Sequence, residues 1–291
     1  MNVLSLFDGM SCGQIALNKI GIKPHKYYAS EIDKHAIVVT MTNYPGTVQL
    51  GDVEKWREWD IPWREIDLVI GGSPCQGFSF AGAQLAFNDP RSVLFFVFVD
   101  ILNHIKSLNP NVKFMLENVK MKKEHIEVIS NHLGVEPVFI NSGMISPCMR
   151  PRFYWRNWEI EQPEETESHF ADVIDYSSSE NMMSDAWHTW WEKNSEYQIN
   201  KSYSKLVKPN EKGITMTTRQ YASWNGNFIQ TPSGKIRKPT RRELSLLVGA
   251  PGDYLSMVSQ RQAEVLTGNG WTVDVIAHIF KAAGLGEQLR I

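Results

Sequence analysis

One cysteine, Cys75, lies in the run Gly71-Gly72-Ser73-Pro74-Cys75-Gln76, directly after the apolar segment Asp67-Leu68-Val69-Ile70. A second apolar segment, Val112 to Leu116, leads into Glu117-Asn118-Val119. A thiolate is a strong nucleophile, and a carboxyl in a cleft can donate or share a proton. Together they can attack an electron-poor ring and neutralise the charge that develops on it, which points to an enzyme acting on a base. A buried structural thiol is the plain alternative for Cys75. Pro74 and the glycines before it shape a turn, which favours an exposed thiol.

Two such residues meet only if their strands are neighbours with their carboxyl ends on one side. The first half of the chain reads that way. Strands are expected at Val3–Phe7, Lys26–Ser30, Asp67–Ile70, Val112–Leu116, Pro137–Asn141 and Arg152–Trp158. Helices are expected at Gly13–Ile20, Lys34–Tyr44, Val93–Ile105, Lys123–Leu133 and, at the far end, Thr272–Ala283. This βαβ alternation predicts an α/β fold with a mostly parallel sheet and helices on both faces. In such sheets ligands sit beyond the carboxyl ends of the strands.

The same edge offers a second set of groups. Phe7-Asp8-Gly9-Met10-Ser11-Cys12-Gly13 joins the first strand to the first helix, where glycines let backbone approach a ligand and a helix start presents free N–H groups. Glu31 ends the second strand, the usual place for an acid that accepts ribose hydroxyls. Asp52, in Gly51-Asp52-Val53, is placed to accept from an adenine amino group. An exposed strand-end acid and a turn residue are the plain alternatives for these two; the three positions together match an adenosyl site better. Neither G-x-G-x-x-G nor G-x-x-x-x-G-K-[ST] is present, which disfavours NAD and ATP hydrolysis.

Composition sets outer bounds. The chain has 291 residues, 42% of them hydrophobic, with a net charge of −2. That suffices for one large and one smaller domain. Three cysteines, Cys12, Cys75 and Cys148, without framework spacing suit a reducing, intracellular compartment. No signal peptide is recognisable at the start, and the most apolar stretch, Val93 to Val99, is too short to span a bilayer. Charge is unevenly spread. Residues 157–200 hold eleven acids and one base, whereas residues 201–243 hold ten bases and two acids. A basic segment threaded with Tyr203, Tyr221, Trp224 and Phe228 suits a phosphate backbone, or else is a solvated insertion. Trp187, Trp190 and Trp191 fit a packed helix face better than base stacking.

In order along the chain, Phe7-Asp8-Gly9, Glu31, Asp52, Pro74-Cys75-Gln76, Glu117-Asn118-Val119, Arg150-Pro151-Arg152 and Gly268-Asn269-Gly270 resemble the DNA cytosine C5-methyltransferases. The resemblance covers about residues 2–158 and 238–281. Thr217-Thr218-Arg219 and Gly270-Trp271-Thr272-Val273-Asp274-Val275-Ile276 are similar to the animal de novo branch of that family. Ser11-Cys12 stands where many bacterial members carry two glycines, and Leu247-Val248-Gly249-Ala250-Pro251 is a variant of the usual late motif.

The resemblance implies a Rossmann-like domain at residues 1–157, completed by 256–291, with a small target-recognition domain at 158–255. It implies S-adenosyl-L-methionine as methyl donor, S-adenosyl-L-homocysteine as product, no metal, and double-stranded DNA as partner. Composition and the lack of a recognisable targeting signal suit the cytoplasm of a bacterial or phage-infected cell, with a eukaryotic nucleus as the alternative, and a monomer is the default state. Cys75 would add to cytosine C6, Glu117 would hold N3 and the exocyclic amine, Asn118 would position the loop bearing Cys75, Arg152 would meet O2, and Arg150 or Arg152 would favour the thiolate. Cofactor contacts would come from Phe7, Asp8, Gly9, Met10, Cys12, Gly13, Glu31, Ile32, Asp52, Val53, Gly72, Pro74, Asn269, Gly270 and Trp271. DNA contacts would come from Gln76, Ser79, Gln84, Arg91, Arg219, Lys235, Arg237, Lys238 and Arg241. Residues 78–91 resemble a closing catalytic loop hinged at Gly77 and Gly82, with Gln84 or Leu85 filling the gap left by a flipped base. Two further readings are a tRNA cytosine C5-methyltransferase on the same scaffold, against which the absent cysteine-phenylalanine-threonine tripeptide counts, and a non-enzymatic scaffold, against which the surviving site residues count.

Overall fold

A computed structural model gives the backbone and side chains of residues 1–73, 93–197 and 203–285, and the backbone alone of 198–200. The chain forms two compact units. The first comprises Met1–Ile140, Pro151–Gln162 and Ala277–Ile291; the second comprises Asn141–Arg150 and Pro163–Ile276.

In the first unit, β1 (Asn2–Leu6), β2 (Lys26–Ser30), β3 (Val48–Gln49), β4 (Ile66–Gly71), β5 (Lys113–Val119), β6 (Pro137–Asn141) and β7 (Pro151–Arg156) build one sheet in the order β3-β2-β1-β4-β5-β7-β6. The pairs β1–β2, β2–β3, β1–β4 and β4–β5 are parallel, and β5–β7 is antiparallel. Helices α1 (Cys12–Lys19), α2 (Lys34–Asn43), α3 (Val93–Leu108) and α4 (Lys123–Leu133) make the connections. β1 is buried along its whole length and β4 everywhere but Asp67, and burial on both faces explains why apolar residues predominate in them. The core gathers Leu4, Leu6, Val69, Phe95, Phe98, Ile101, Phe114, Leu116 and Trp155. At two places only glycine fits. A Cβ on Gly13 would lie 2.5 Å from Ile70 Cδ1, and one on Gly71 would lie 2.9 Å from the Phe98 ring and 3.0 Å from the Leu6 carbonyl. Both glycines bring backbone close at the strand ends that frame the crevice.

β5 continues past its expected end. Its ladder with β4 closes at Gly71 opposite Leu116, but β7 carries pairing on through Glu117, Asn118 and Val119 opposite Tyr154, Phe153 and Arg152. Glu117 and Asn118 are therefore strand residues rather than loop residues.

The second unit contains α5 (Asp185–Asn200), a small sheet of β8 (Ser204–Leu206), β9 (Gly226–Gln230) and β10 (Ile236–Arg237) in the order β10-β9-β8, and helices α6 (Arg241–Leu247) and α7 (Gln260–Asn269). Trp187 and Trp191 of α5 stack at 4.9 Å and lie 5.0 and 5.1 Å from the Phe228 ring. The tryptophans thus form the packed face expected of them. Helix α6 begins with a capping box: Thr240 accepts from the Glu243 amide while Glu243 accepts from the Thr240 amide. Because α6 and α7 pack on each other, the chain rejoins the first unit at Ala277, within α8 (Val273–Ala282), rather than near residue 256.

Candidate active site

The order of the first sheet reverses between β1 and β4, since β1 connects outward to β2 and β3 while β4 connects the other way. That switch point opens a crevice at the carboxyl ends of the strands. Beyond β1, Phe7, Gly9 and Ser11 adopt positive φ angles of 58°, 58° and 63°. Ser11 caps α1 without a side-chain hydrogen bond, and its carbonyl accepts from Gln14 N at 3.0 Å. Glu31 closes the turn from the side. Its Oε2 accepts from Gly9 N at 2.8 Å, and its Oε1 accepts from Ile32 N and Asp33 N at 2.8 Å. A carboxylate has about four lone-pair sites, so acceptor capacity remains. Asp52 caps the short helix Val53–Glu58 through Glu54 N at 3.0 Å. Gly9 and Gly51 have no described atom within 4 Å of a notional Cβ, which leaves room for a ligand beside both acids. This donor and acceptor set fits an adenosyl group with vicinal hydroxyls.

Asp8 lies under the turn. Tyr27 Oη donates to its Oδ1 at 2.8 Å. Burial pushes the Asp8 carboxyl up to about 6, against the pull of the Ser5, Ser11 and Tyr27 hydroxyls. Burial, then the Asp8 charge, holds the Tyr27 phenol well above its usual range. Met10 and Cys12 are buried, whereas Ile32 is 76% exposed at the rim.

Across the switch point, the segment leaving β4 is tied to β5. Asn118 Nδ2 donates to Ser73 Oγ at 3.3 Å, and Asn118 Oδ1 accepts from Val119 N at 2.8 Å. Both residues are buried. Ser73 is the last described residue before Pro74 and Cys75, so this bond fixes where that segment departs. Glu117, on the next position of β5, pairs with Arg152 of β7, Nε to Oε1 at 2.7 Å. Their positions are diagonal on one face of the β5–β7 ladder, which brings long side chains into reach. Arg152 Nη1 also donates to the Pro151 carbonyl at 2.8 Å. The pair is mostly buried, and so the guanidinium fixes the orientation of the carboxylate.

The remaining expected residues are not part of this described cluster of the first unit. Pro74, Cys75, Gln76, Ser79, Gln84, Leu85 and Arg91 fall outside the described residues. Arg150 is in the second unit, buried, with its guanidinium on the Met216 carbonyl at 3.1 Å and the Gly268 carbonyl at 3.1 Å. Asn269, Gly270 and Trp271 also belong to that unit. Among the basic residues expected on DNA, Arg219, Lys235 and Arg241 are exposed, although Arg241 is tied to the Ser256 and Val258 carbonyls. Arg237 and Lys238 require correction. Arg237 is fully buried and bidentate to Glu243, with both contacts at 2.7 Å, so it cannot reach a phosphate. Lys238 is buried and donates to the Gln220 and Ala222 carbonyls. Of the other thiols, Cys12 is buried, and burial pushes Cys148 up to about 12, which leaves it unreactive at neutral pH. Sequence reasoning missed Ser73, Tyr27 and Glu243. Only Glu243 had a local signal, the Thr-x-x-Glu capping pattern.

A family model described as "C-5 cytosine-specific DNA methylase" matches residues 1–133 and 149–284. The type II methyltransferase M.SsoII of Shigella sonnei is 32% identical over 303 residues, covering 94% of this chain and 77% of the relative. The orphan methyltransferase M.Rho11sI of Bacillus phage rho11s is 41% identical over 104 residues, which are 35% of this chain and only 20% of the phage protein. The fold matches the solved Entamoeba histolytica methyltransferase EhMeth with a TM-score of 0.75 at 18% identity, covering 100% of this chain and 99% of that one. No helix among the described residues is long and apolar enough to cross a membrane. With the doubly wound sheet, the strand-end acids and a family match running over nearly the whole length, the chain belongs to the C-5 cytosine-specific DNA methylase family.

Proposed function

We propose that the protein methylates C5 of cytosine in duplex DNA, with Cys75 as nucleophile and Glu117 as the group that engages the base. The observation that carries this reading is the Ser73–Asn118 hydrogen bond beside the Glu117–Arg152 ion pair, at adjacent strand ends. It ties the segment that leads into Cys75 to the strand that holds Glu117. Phe7, Gly9, Glu31, Ile32 and Asp52 would hold S-adenosyl-L-methionine. When bound, this cofactor supplies an electrophilic methyl group on a sulfonium and becomes S-adenosyl-L-homocysteine.

Cytosine C5 is a poor nucleophile. Addition of the Cys75 thiolate to C6 turns the ring into an enamine, whose C5 can then accept a methyl group. Glu117 gives a proton to N3 as the thiolate adds and accepts from the exocyclic amine, and Arg152 keeps its carboxyl aligned and approaches O2. After methylation a water or hydroxide takes the C5 proton, the freed electron pair restores the C5–C6 double bond and expels the Cys75 thiolate, and N3 returns its proton to Glu117. The base must first rotate out of the duplex, at a cost of roughly a few kcal/mol. The match to type II and phage methyltransferases supports a role in restriction-modification or phage DNA modification, and so an intracellular setting.

Bisulfite sequencing of DNA from cells expressing the chain tests this directly. Methylated cytosines should recur in one sequence context and vanish with Cys75→Ala. Labelling of total tRNA without labelling of DNA would instead establish the RNA reading. Trapping on a 5-fluorocytosine duplex should leave an adduct on Cys75.

A further inference from the structure

One segment of the second unit has an unusual division between backbone and side chains. Between Met216 and Gly226 the chain makes no regular helix or strand. Thr217, Arg219, Tyr221, Ser223 and Trp224 are nevertheless exposed while Gln220 is buried. The carbonyls of the same stretch are gripped from beneath by side chains of four different elements or turns. Arg150 takes the Met216 carbonyl at 3.1 Å. The Lys238 ammonium takes those of Gln220 and Ala222, the latter at 2.6 Å. Trp187 Nε1 takes Ser223 at 2.6 Å, and Ser204 Oγ takes Trp224. Gln220 reaches inward to the Glu264 carbonyl at 2.6 Å and to Thr267 Oγ1 at 3.0 Å. Gly268 lets α7 press on the segment, since a Cβ there would lie 2.3 Å from both Thr217 C and Thr218 N.

Such anchoring is costly to build. A buried ammonium needs compensation, and Lys238 finds it in two carbonyls, the Phe228 ring at 5.5 Å and the nearby Glu264 carboxyl. Its burial holds the ammonium down to about 8. An ordinary solvated loop needs none of this. The expense makes sense where the outward side chains must stand in fixed positions before a partner arrives. Those side chains are a cation and two aromatics, Arg219, Tyr221 and Trp224, with Arg261 stacked 4.6 Å over the Tyr221 ring. Arginine and exposed aromatic rings are the chemistry that meets nucleic-acid phosphates and bases.

We propose that Lys238 is a positioning residue for DNA binding, acting only through the carbonyls of Gln220 and Ala222, which it holds so that residues 217–225 present Arg219 in a fixed place. This rests on the reading of the chain as a DNA methyltransferase and on the DNA contact that the family resemblance implies for Arg219. Lys238 therefore contributes to DNA affinity from inside the fold, although it never touches a phosphate.

The test uses the full chain, plasmid DNA and tritiated S-adenosyl-L-methionine. Lys238→Met keeps the aliphatic stem and removes the donor. It should raise KM for DNA by about tenfold, as should Arg219→Ala. With Lys238→Met, kcat and the cofactor KM should stay within about twofold of wild type. Once Arg219 is gone, Lys238→Met should add little, because both act through one contact. Trp187→Phe, which keeps the ring packing and loses the donor to Ser223, should shift KM in the same direction. Amide hydrogen exchange at residues 220–226 should accelerate in both anchor variants. An unchanged KM for DNA, an equal loss in kcat and cofactor KM, or multiplicative effects of Lys238→Met and Arg219→Ala would each overturn the proposal. Absence of methyl transfer by the wild-type protein would sink the functional reading instead, and the exchange rates would still judge the anchoring.

Discussion

Replacing Arg237 with methionine should destabilise the protein far more than loss of a surface cation. Arg237 is fully buried, and its guanidinium holds both oxygens of Glu243 at 2.7 Å and donates to the Lys238 carbonyl at 3.0 Å and the Asp175 carbonyl at 2.5 Å. Glu243 also accepts from Asp175 N at 2.8 Å and Thr240 N at 2.7 Å, so its carboxylate stays pinned when the arginine is lost. The variant leaves a buried negative charge with two amide donors and no counter-charge. Breaking a buried pair from one side costs about 3–5 kcal/mol. Two retained amides place this case toward the lower end, so about 3 kcal/mol is expected. Urea unfolding followed by tryptophan fluorescence measures it, because Trp187 and Trp191 sit in the same unit. The companion Glu243→Gln removes the charge and keeps an acceptor. In the double variant no ion remains unpaired, so its loss should fall short of the sum of the two single losses by about 2 kcal/mol. A cost under about 1 kcal/mol for Arg237→Met, or strict additivity, would refute the assignment of a tightly coupled internal pair.

Asp8 gives a pH signature of the opposite kind. Its folded carboxyl is raised to about 6 from 3.8, so the folded state holds the proton more tightly and stability falls as pH rises from about 4 through 6. Asp8→Asn should therefore gain up to about 3 kcal/mol at pH 8, with the gain fading below pH 4. A gain that does not vary with pH in thermal unfolding would contradict this. Gly268→Ala should cost at least about 1–3 kcal/mol, since backbone of Thr217 and Thr218 cannot move aside as a flexible side chain would, and calorimetry would register it as a lowered Tm. A native-state thiol assay at pH 8 should label Cys75 and spare Cys12 and Cys148, with peptide mass spectrometry locating the label; modification of Cys148 without unfolding would show that its burial is wrongly assigned.

Much of the first unit was legible along the chain. Apolar runs alternating with helical stretches identified the strands and helices, because side-chain burial in a parallel sheet leaves a local record. Turn chemistry placed Gly9 and Glu31 at strand ends, and the family was readable from ordered short motifs. The order β3-β2-β1-β4-β5-β7-β6 was not, since pairing between distant strands has no local signature. That order sets Ser73 beside Asn118 and, through an antiparallel strand, Arg152 against Glu117. Charge counting failed in a more instructive way. Arg237 and Lys238 looked like surface cations in a basic segment. Tertiary packing put both inside, where they hold carbonyls or a carboxylate. A sequence records that a residue is ionisable; only the folded chain decides whether water or backbone solvates the charge.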